Sequence, residues 1–288
     1  MTGDDVHQPG LEGFQAEVAQ VALLAIGAKG FALAAPGALV AHGLITRPTA
    51  DLDLFSPTAG GPGQVSALLQ AAPTDAGYHV DVLEPAEQHD GEFLRLQVHQ
   101  DQHVLDIDVA RDWRQHPPVR MQIGPVLHVD DAVGSKVTAM IGRGLPRDYI
   151  DVAAALTRYD RGDLLSLAFA RDPGLRVIDV AHAMQLLDRL PDAPFGDYGL
   201  TGDDVGQVRH RLQDWPRDHQ QDHVGRRVHA QTHQAGRSAV NRSAAGFPTP
   251  LHDALNHAAS KPAQMPGPPD PKPIQRPGNT DSHYRRRP

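Results

Sequence analysis

Hydrophobic and polar positions follow two regimes along this chain. Between residues 50 and 110 they alternate. ADLDLF (50–55), YHVDVLE (78–84), EFLRLQVH (92–99) and HVLDIDVA (103–110) each carry apolar side chains at every second position, the period of a half-buried strand. Turn residues separate the last three segments, which predicts two hairpins. From residue 130 onward the apolar spacing changes to threes and fours. DDAVGSKVTAMIGRG (130–144), PRDYIDVAAALTRY (146–159), DLLSLAFA (163–170) and LRVIDVAHAMQLLDRL (175–190) read as helices, with a further one over 203–214. Two helices accompany the strands: QAEVAQVALLAIGA (15–28), with Gly27 and Gly30 near its stop, and the shorter QVSALLQAA (64–72). FALAAPGALVAHGL (31–44) is apolar but broken by Pro36, Gly37 and Gly43, and its pattern selects neither period.

Strands first and helices after them predict an α+β fold, with a sheet domain over 1–125 and a helical domain over 126–218. Composition alters the picture beyond that point. From Gln221 to the end there are ten basic and four acidic residues, ten of the 25 prolines, one Phe, one Tyr and no Trp. Such a segment cannot bury enough apolar surface to offset its ordering entropy, so 219–288 is expected to be a disordered, basic, Pro-rich tail. The net charge of −8 therefore divides into −14 over residues 1–220 and +6 over the rest. An acidic body argues against a broad nucleic-acid surface, because neutralising phosphates is what drives such binding.

Other absences narrow the class. Without cysteine there is no disulfide framework, Cys-ligated zinc or thiol nucleophile. No run reaches 18 apolar residues, so no membrane span is expected. The opening MTGDDVHQPG has no basic and apolar leader pattern, so the cytoplasm is the expected location. The P-loop, dinucleotide, nucleophile-elbow and H-E-x-x-H patterns are all missing. His42, inside an apolar stretch, reads as a hydrogen-bonded structural histidine.

The residues that point to chemistry are acidic. Asp51 and Asp53 are i and i+2 on a strand and share a face, so both carboxylates can reach one cation. The spacing alone is weak: with 30 Asp in 288 positions, random placement yields about three D-x-D pairs. The chain has two, Asp51/Asp53 and Asp106/Asp108, and both lie in short apolar strands. Each pair can instead be the wet face of an amphipathic strand. If the two strands are neighbours, several like charges converge and raise one another's pKa unless a cation intervenes. Oxygen-only ligands favour magnesium over zinc.

Basic residues form a second group. Lys136 is one of two lysines before residue 261 in a chain that otherwise uses arginine. A compact ammonium suits a point contact with phosphate. Downstream, GRGLPRDYID (142–151) holds Arg143, Arg147, Asp148 and Asp151, with Pro146 placed to start a helix. Arg147 and Asp151 are spaced as an i,i+4 surface pair, or the charges of this group lock two helices together. Arg47, four residues before Asp51, can meet a phosphate, orient Asp51 or Asp53, or simply decorate a loop.

Two stretches in order resemble the nucleotidyltransferase AbiEii/AbiGii toxin family, a branch of the DNA polymerase β-like superfamily. LAAPGALVAHGLITRPTADLDLF (33–55) is similar to the family's Gly-Gly/Ser pair, Ala-Leu helix, Arg-x-[ST] and Asp-x-Asp. VDDAVGSKVTAMIGRGLPRDYIDVAAAL (129–156) resembles its Lys helix followed by Arg and Arg-Asp-x-x-Asp, and IDVARD (107–112) resembles the strand of a third carboxylate. The resemblance implies a mixed nucleotidyltransferase sheet with flanking helices and a helical domain after it. It implies Asp51, Asp53 and Asp108 as Mg2+ ligands, with Lys136 meeting the triphosphate of an NTP. Arg47, Arg143, Arg147, Asp148 and Asp151 would complete the nucleotide pocket. It further implies a toxin of an abortive-infection or toxin–antitoxin system, with tRNA as acceptor and an antitoxin protein as partner. One departure stands out: Ala35-Pro36 replaces the Gly-Gly/Ser pair, so a phosphate grip would have to be rebuilt around Gly37. The alternative is a degenerate member that binds nucleotide or a protein without transfer.

Overall fold

The computed structural model describes residue 11 and residues 13–217. The tail expected over 219–288 lies outside the described residues. Seven strands form one mixed sheet in the order β3-β4-β5-β2-β1-β7-β6. Their ranges are β1 Ala32–Leu33, β2 Asp51–Ser56, β3 His79–Glu84, β4 Phe93–Gln100, β5 His103–Arg111, β6 Val119–Met121 and β7 Gly124–Val126. Helices α1 (Gly13–Ile26), α2 (Ala35–Ala41) and α3 (Gly61–Asp75) interleave with the strands. The remaining helices follow in series: α4 (Val129–Gly142), α5 (Pro146–Ala155), α6 (Arg161–Arg171), α7 (Val177–Arg189), α8 (Ala193–Gly196) and α9 (Gly202–Arg211). The expected α+β class and both hairpins, β3-β4 and β4-β5, are present.

The two strands with D-x-D pairs lie at the centre of the sheet and run parallel, which requires a crossover; α3, β3 and β4 supply it. At this central place β2 is buried at five of six positions rather than at alternate ones. The edge strands β3 and β6 keep mostly exposed patterns. One apolar cluster runs from the sheet into the helices, from Val18 and Leu33 to Phe195 and Trp215.

Several elements escape the periodic reading, for physical reasons. β1, β6 and β7 are two or three residues long, too short for a period of two to register. α2 forms from APGALVA because Pro36 falls in the first turn, where its missing N–H costs no bond. Helix α3 is longer than 64–72 because it starts at Gly61 with Pro62 in its first turn and continues past Pro73. His42 is the expected structural histidine: its Nε2–H donates to the carbonyl of Leu127 at 2.8 Å, tying the end of α2 to β7. No helix among the described residues is long and apolar enough to cross a membrane.

Candidate active site

The parallel pairing of β2 and β5 sets Asp51 opposite Asp106 and Asp53 opposite Asp108. Both D-x-D pairs thus fall in one patch. The second member of each pair is buried rather than wet, Asp53 being 8% exposed and Asp108 4%, while Asp51 and Asp106 are half-buried. Burial pushes the Asp53 carboxyl well above its ordinary value, and repulsion from Asp51 and Asp108 adds to the rise, against relief from Lys136 and Arg147. Asp108 is raised for the same first reason, with Arg95 opposing and Asp51 and Asp106 reinforcing.

Backbone contacts hold this patch in place. The N–H of Ala34, between β1 and α2, donates to the Asp53 carbonyl at 2.8 Å. From α1, the Gln15 amide donates to the Asp51 carbonyl at 2.9 Å and to Thr49 Oγ1 at 2.8 Å. On β4, Arg95 grips Asp108 through two hydrogen bonds of 2.6 and 2.7 Å and reaches Glu84 at 3.0 Å. Next to it, Gln97 donates to Asp106 at 2.6 Å. An R-x-Q on β4 therefore answers the D-x-D on β5 across the antiparallel ladder. The sequence reading missed Arg95. Its signal was a charged residue at an alternate position of an apolar strand, uninterpretable until strand register is known.

The basic group forms one network. Asp151 and Asp148 of α5 are fully buried. Asp151 receives both Arg47 nitrogens at 2.7 Å and Lys136 Nζ at 3.0 Å. Asp148 receives Arg143 twice at 2.9 Å, with Lys136 at 3.9 Å. Burial alone would raise Asp148, but its hydrogen bonds from Arg143 and the nearby Lys136 and Arg147 hold it below its ordinary value. These bonds join the loop before β2, α4 and α5, so the charges do lock helices together. The Arg147–Asp151 surface pair is not formed, because Arg47 and Lys136 occupy that carboxylate. Arg147 makes no hydrogen bond among the described residues and acts electrostatically on Asp53 and Asp148. Arg47 sits on Asp151 rather than on the Asp51 or Asp53 carboxylate, its guanidinium 5.5 Å from the Tyr198 ring centroid. Tyr198, after α8, was not foreseen; nothing local marks it.

Gly37 is not the centre of a loop. It lies in the first turn of α2, where an added Cβ would meet Leu33 Cδ1 at 2.8 Å, so its bare Cα permits α2 to pack on β1. The preceding Ala35 has φ +46°, the left-handed conformation that glycine adopts without cost.

The site is bipolar. Four cations (Arg47, Lys136, Arg143, Arg147) face two buried carboxylates on one side. On the other, Asp51, Asp53, Asp106 and Asp108 are opposed by Arg95. A polyphosphate carrying a divalent cation matches both halves.

Comparison with known proteins bears on the fold and the family. The MenT4 nucleotidyltransferase toxin of Mycobacterium tuberculosis shares the fold with a TM-score of 0.51 and 22% identity, over 80% of this chain and 93% of that one. A putative nucleotidyltransferase from Helicobacter pylori aligns with a TM-score of 0.48 and 13% identity, over 76% and 99% of the two chains. JHP933 from Helicobacter pylori aligns at 0.44 and 14%, over 80% and 100%. No curated protein sequence is significantly similar to the chain. Residues 38–194, more than half of the chain, match the profile described as nucleotidyl transferase AbiEii toxin, type IV toxin–antitoxin system. The chain belongs to the AbiEii family of nucleotidyltransferase toxins.

Proposed function

We propose that this enzyme moves a nucleotide from an NTP to a hydroxyl of tRNA in a magnesium-dependent reaction, and that a cognate antitoxin restrains it in the cytoplasm. The observation that carries the reading is the in-register pair Asp53/Asp108 beside the Lys136 network. The donor set fits a hard divalent cation. It is all oxygen, and the burial and like-charge repulsion that raise Asp53 are what a bound cation relieves. Asp51 and Asp53 would hold Mg2+, and Asp108, oriented by Arg95, would complete the carboxylate set. Bound there, the ion would neutralise charge on the reacting phosphate.

The chain's own groups do the rest. Lys136 and Arg147 take the triphosphate oxygens. Arg47 and Arg143 hold Asp151 and Asp148, which fix Lys136 in place. Gly37 keeps α2 close to β1, so that the start of α2 borders the nucleotide. The acceptor oxygen forms a bond to the α-phosphorus, the bond from that phosphorus to the bridging oxygen breaks, and pyrophosphate leaves with its electron pair. A carboxylate of the patch takes the hydroxyl proton.

The test is transfer of label from each α-labelled NTP to total tRNA with Mg2+. Activity that disappears in Asp53→Ala supports the reading. Nucleotide binding without transfer to any RNA would overturn it.

A further inference from the structure

A second polar cluster sits at the other end of α4. His116 comes from the loop between β5 and β6, His128 is the N-cap of α4, and Asp130 is in its first turn. One potential ligand atom from each of the three lies within 4.8 Å of the others, and all three side chains are half-buried. His128 Nδ1 accepts the Asp130 N–H at 3.3 Å, a long bond that the ion would replace, and lies 3.6 Å from Asp130 Oδ2; the two imidazole rings are 4.5 Å apart at 31°. A tetrahedral zinc ion needs ligand atoms about 3.3 Å apart, given bonds of about 2.0–2.1 Å. Small rotations of half-buried rings close that gap. His128 and Lys136 are eight residues apart, about 12 Å along the axis of α4, so this cluster is separate from the Asp51/Asp53 patch.

The surroundings are arranged as they are around metal ligands. Buried Asp131 accepts the backbone N–H groups of Gln115 and His116, both at 2.8 Å, which fixes the loop bearing His116. The same carboxylate lies 3.3 Å from His116 Nδ1. Nδ1 nevertheless makes no hydrogen bond to it and is buried without a partner, an imidazole nitrogen left for another ligand. Tyr159 donates to Asp130 Oδ1 at 2.6 Å, which leaves Oδ2 as the ligand oxygen. The loop is anchored again where Arg171 of α6 holds Asp112 at 2.5 Å.

We propose that His116, His128 and Asp130 form a binding site for a divalent transition metal ion of the zinc type. Two imidazoles and one carboxylate select zinc over magnesium. Three protein ligands leave a fourth position for water. The ion would clasp the loop that leaves β5 to the start of α4, and through Tyr159 to the turn between α5 and α6. The strand of Asp108 and the helix of Lys136 would then be joined at a point outside the site itself.

The test uses the full chain, stripped with chelator and titrated with Co2+ as a spectroscopic stand-in. One equivalent should produce the visible ligand-field absorption of a four-coordinate site. His116→Ala and His128→Asn should each abolish it. Asn still offers an N-cap acceptor, so in that variant α4 and the circular dichroism spectrum stay unchanged. Asp51→Asn/Asp53→Asn should keep the absorption. Zn2+ should raise the Tm of the wild type and leave that of His128→Asn unmoved. No absorption in the wild type, or absorption that survives in both histidine variants because other histidines bind the ion, would overturn the proposal.

Discussion

Asp53 on β2 stands directly opposite Asp108 on β5 in a parallel strand pair, both nearly buried. Two carboxylates so placed are a strained arrangement in the absence of a cation. Burial raises both above the ordinary carboxylate value, helped by repulsion from Asp51 and Asp108 at Asp53 and from Asp51 and Asp106 at Asp108. The fold therefore keeps a destabilising feature at its centre, which is the expected signature of a site shaped for a ligand rather than for stability.

The sign of the pH effect follows. A carboxyl whose folded value is raised binds more protons in the folded state than in the unfolded one. Its contribution to stability is then highest at low pH and is lost as pH rises from the ordinary carboxylate range to the raised value. Asp148, held low by Arg143, works in the opposite direction: its contribution is present above the ordinary range and is lost as pH falls. The two are separated by difference. Asp53→Asn should be more stable than the wild type at neutral pH by about 1 kcal/mol, a Tm gain of roughly 2–4 °C, and the gap should close on acidification. Saturating Mg2+ should narrow the gap from the other side by stabilising only the wild type. Thermal melts across pH, with and without Mg2+, measure this. A variant less stable than the wild type at neutral pH would refute the repulsion argument. Transfer by Asp53→Asn should be lost.

Arg95 is the counter-charge that makes the arrangement tolerable. Its guanidinium holds both oxygens of Asp108. Arg95→Met should leave that carboxylate buried and unpaired, at a cost of about 3 kcal/mol. Removing both charges in Arg95→Met/Asp108→Leu should recover most of the loss, since a well-packed apolar pair often replaces a buried ion pair without penalty. Urea denaturation of the two single variants and the double variant gives the coupling. Additive losses would show that the pair is not the relevant contact.

Lys136 and Arg47 share Asp151, but unequally: Arg47 makes two bonds of 2.7 Å to it, and Lys136 one contact of 3.0 Å. Arg47 keeps that carboxylate neutralised if the ammonium is removed. Lys136→Met should therefore change stability by about 1 kcal/mol or less, as expected when no charge is left unpaired. It should raise the KM for NTP and lower kcat on the order of a hundredfold, the scale of losing one electrostatic contact in the transition state. Arg47→Met should show the reverse balance, with stability falling more than activity. Steady-state kinetics alongside melts separates the two. Equal stability losses in both variants would contradict the assignment.

The parts of this arrangement differ in how far they could be read from the chain. β2, β5, α4 and α5 were legible because each is long enough for its period to show, and because Pro146 marks a helix start. Asp51, Asp53, Asp108 and Lys136 were legible as candidates for the same reason: all four lie on such elements. What was hidden depends on register and on distant packing. Arg95 gains meaning only when β4 is set against β5, and Tyr198 only when the segment after α8 reaches Arg47. Local spacing left two roles open for Asp151, a surface pair or a link between helices, and only packing decides between them. An i,i+4 partner was at hand in Arg147, yet cations from a loop 104 residues away and from α4 displaced it.

Ala35-Pro36, the pair that the sequence resemblance sets against Gly-Gly/Ser, lies at a strained point of the backbone. Ala35 adopts φ +46° at the start of α2, directly after the Ala34 N–H that bonds the Asp53 carbonyl. The backbone thus keeps the shape that glycine would give, while the residue is alanine, at a cost of about 1–2 kcal/mol for a left-handed non-glycine residue. Ala35→Gly should relieve that strain. Part of the gain is offset by the greater freedom of glycine in the unfolded chain, which leaves a net stabilisation of about 0.5–1 kcal/mol. Pro36→Ser in addition would restore an N–H and supply a hydroxyl donor in the first turn of α2. If that turn borders the phosphates, the double variant should bind NTP more tightly and transfer faster than Ala35→Gly alone. Denaturation reads the first effect, and NTP titration with transfer rates reads the second. A stabilised Ala35→Gly with no further change in the double variant would mean that the start of α2 serves packing on Leu33 and takes no part in holding phosphate.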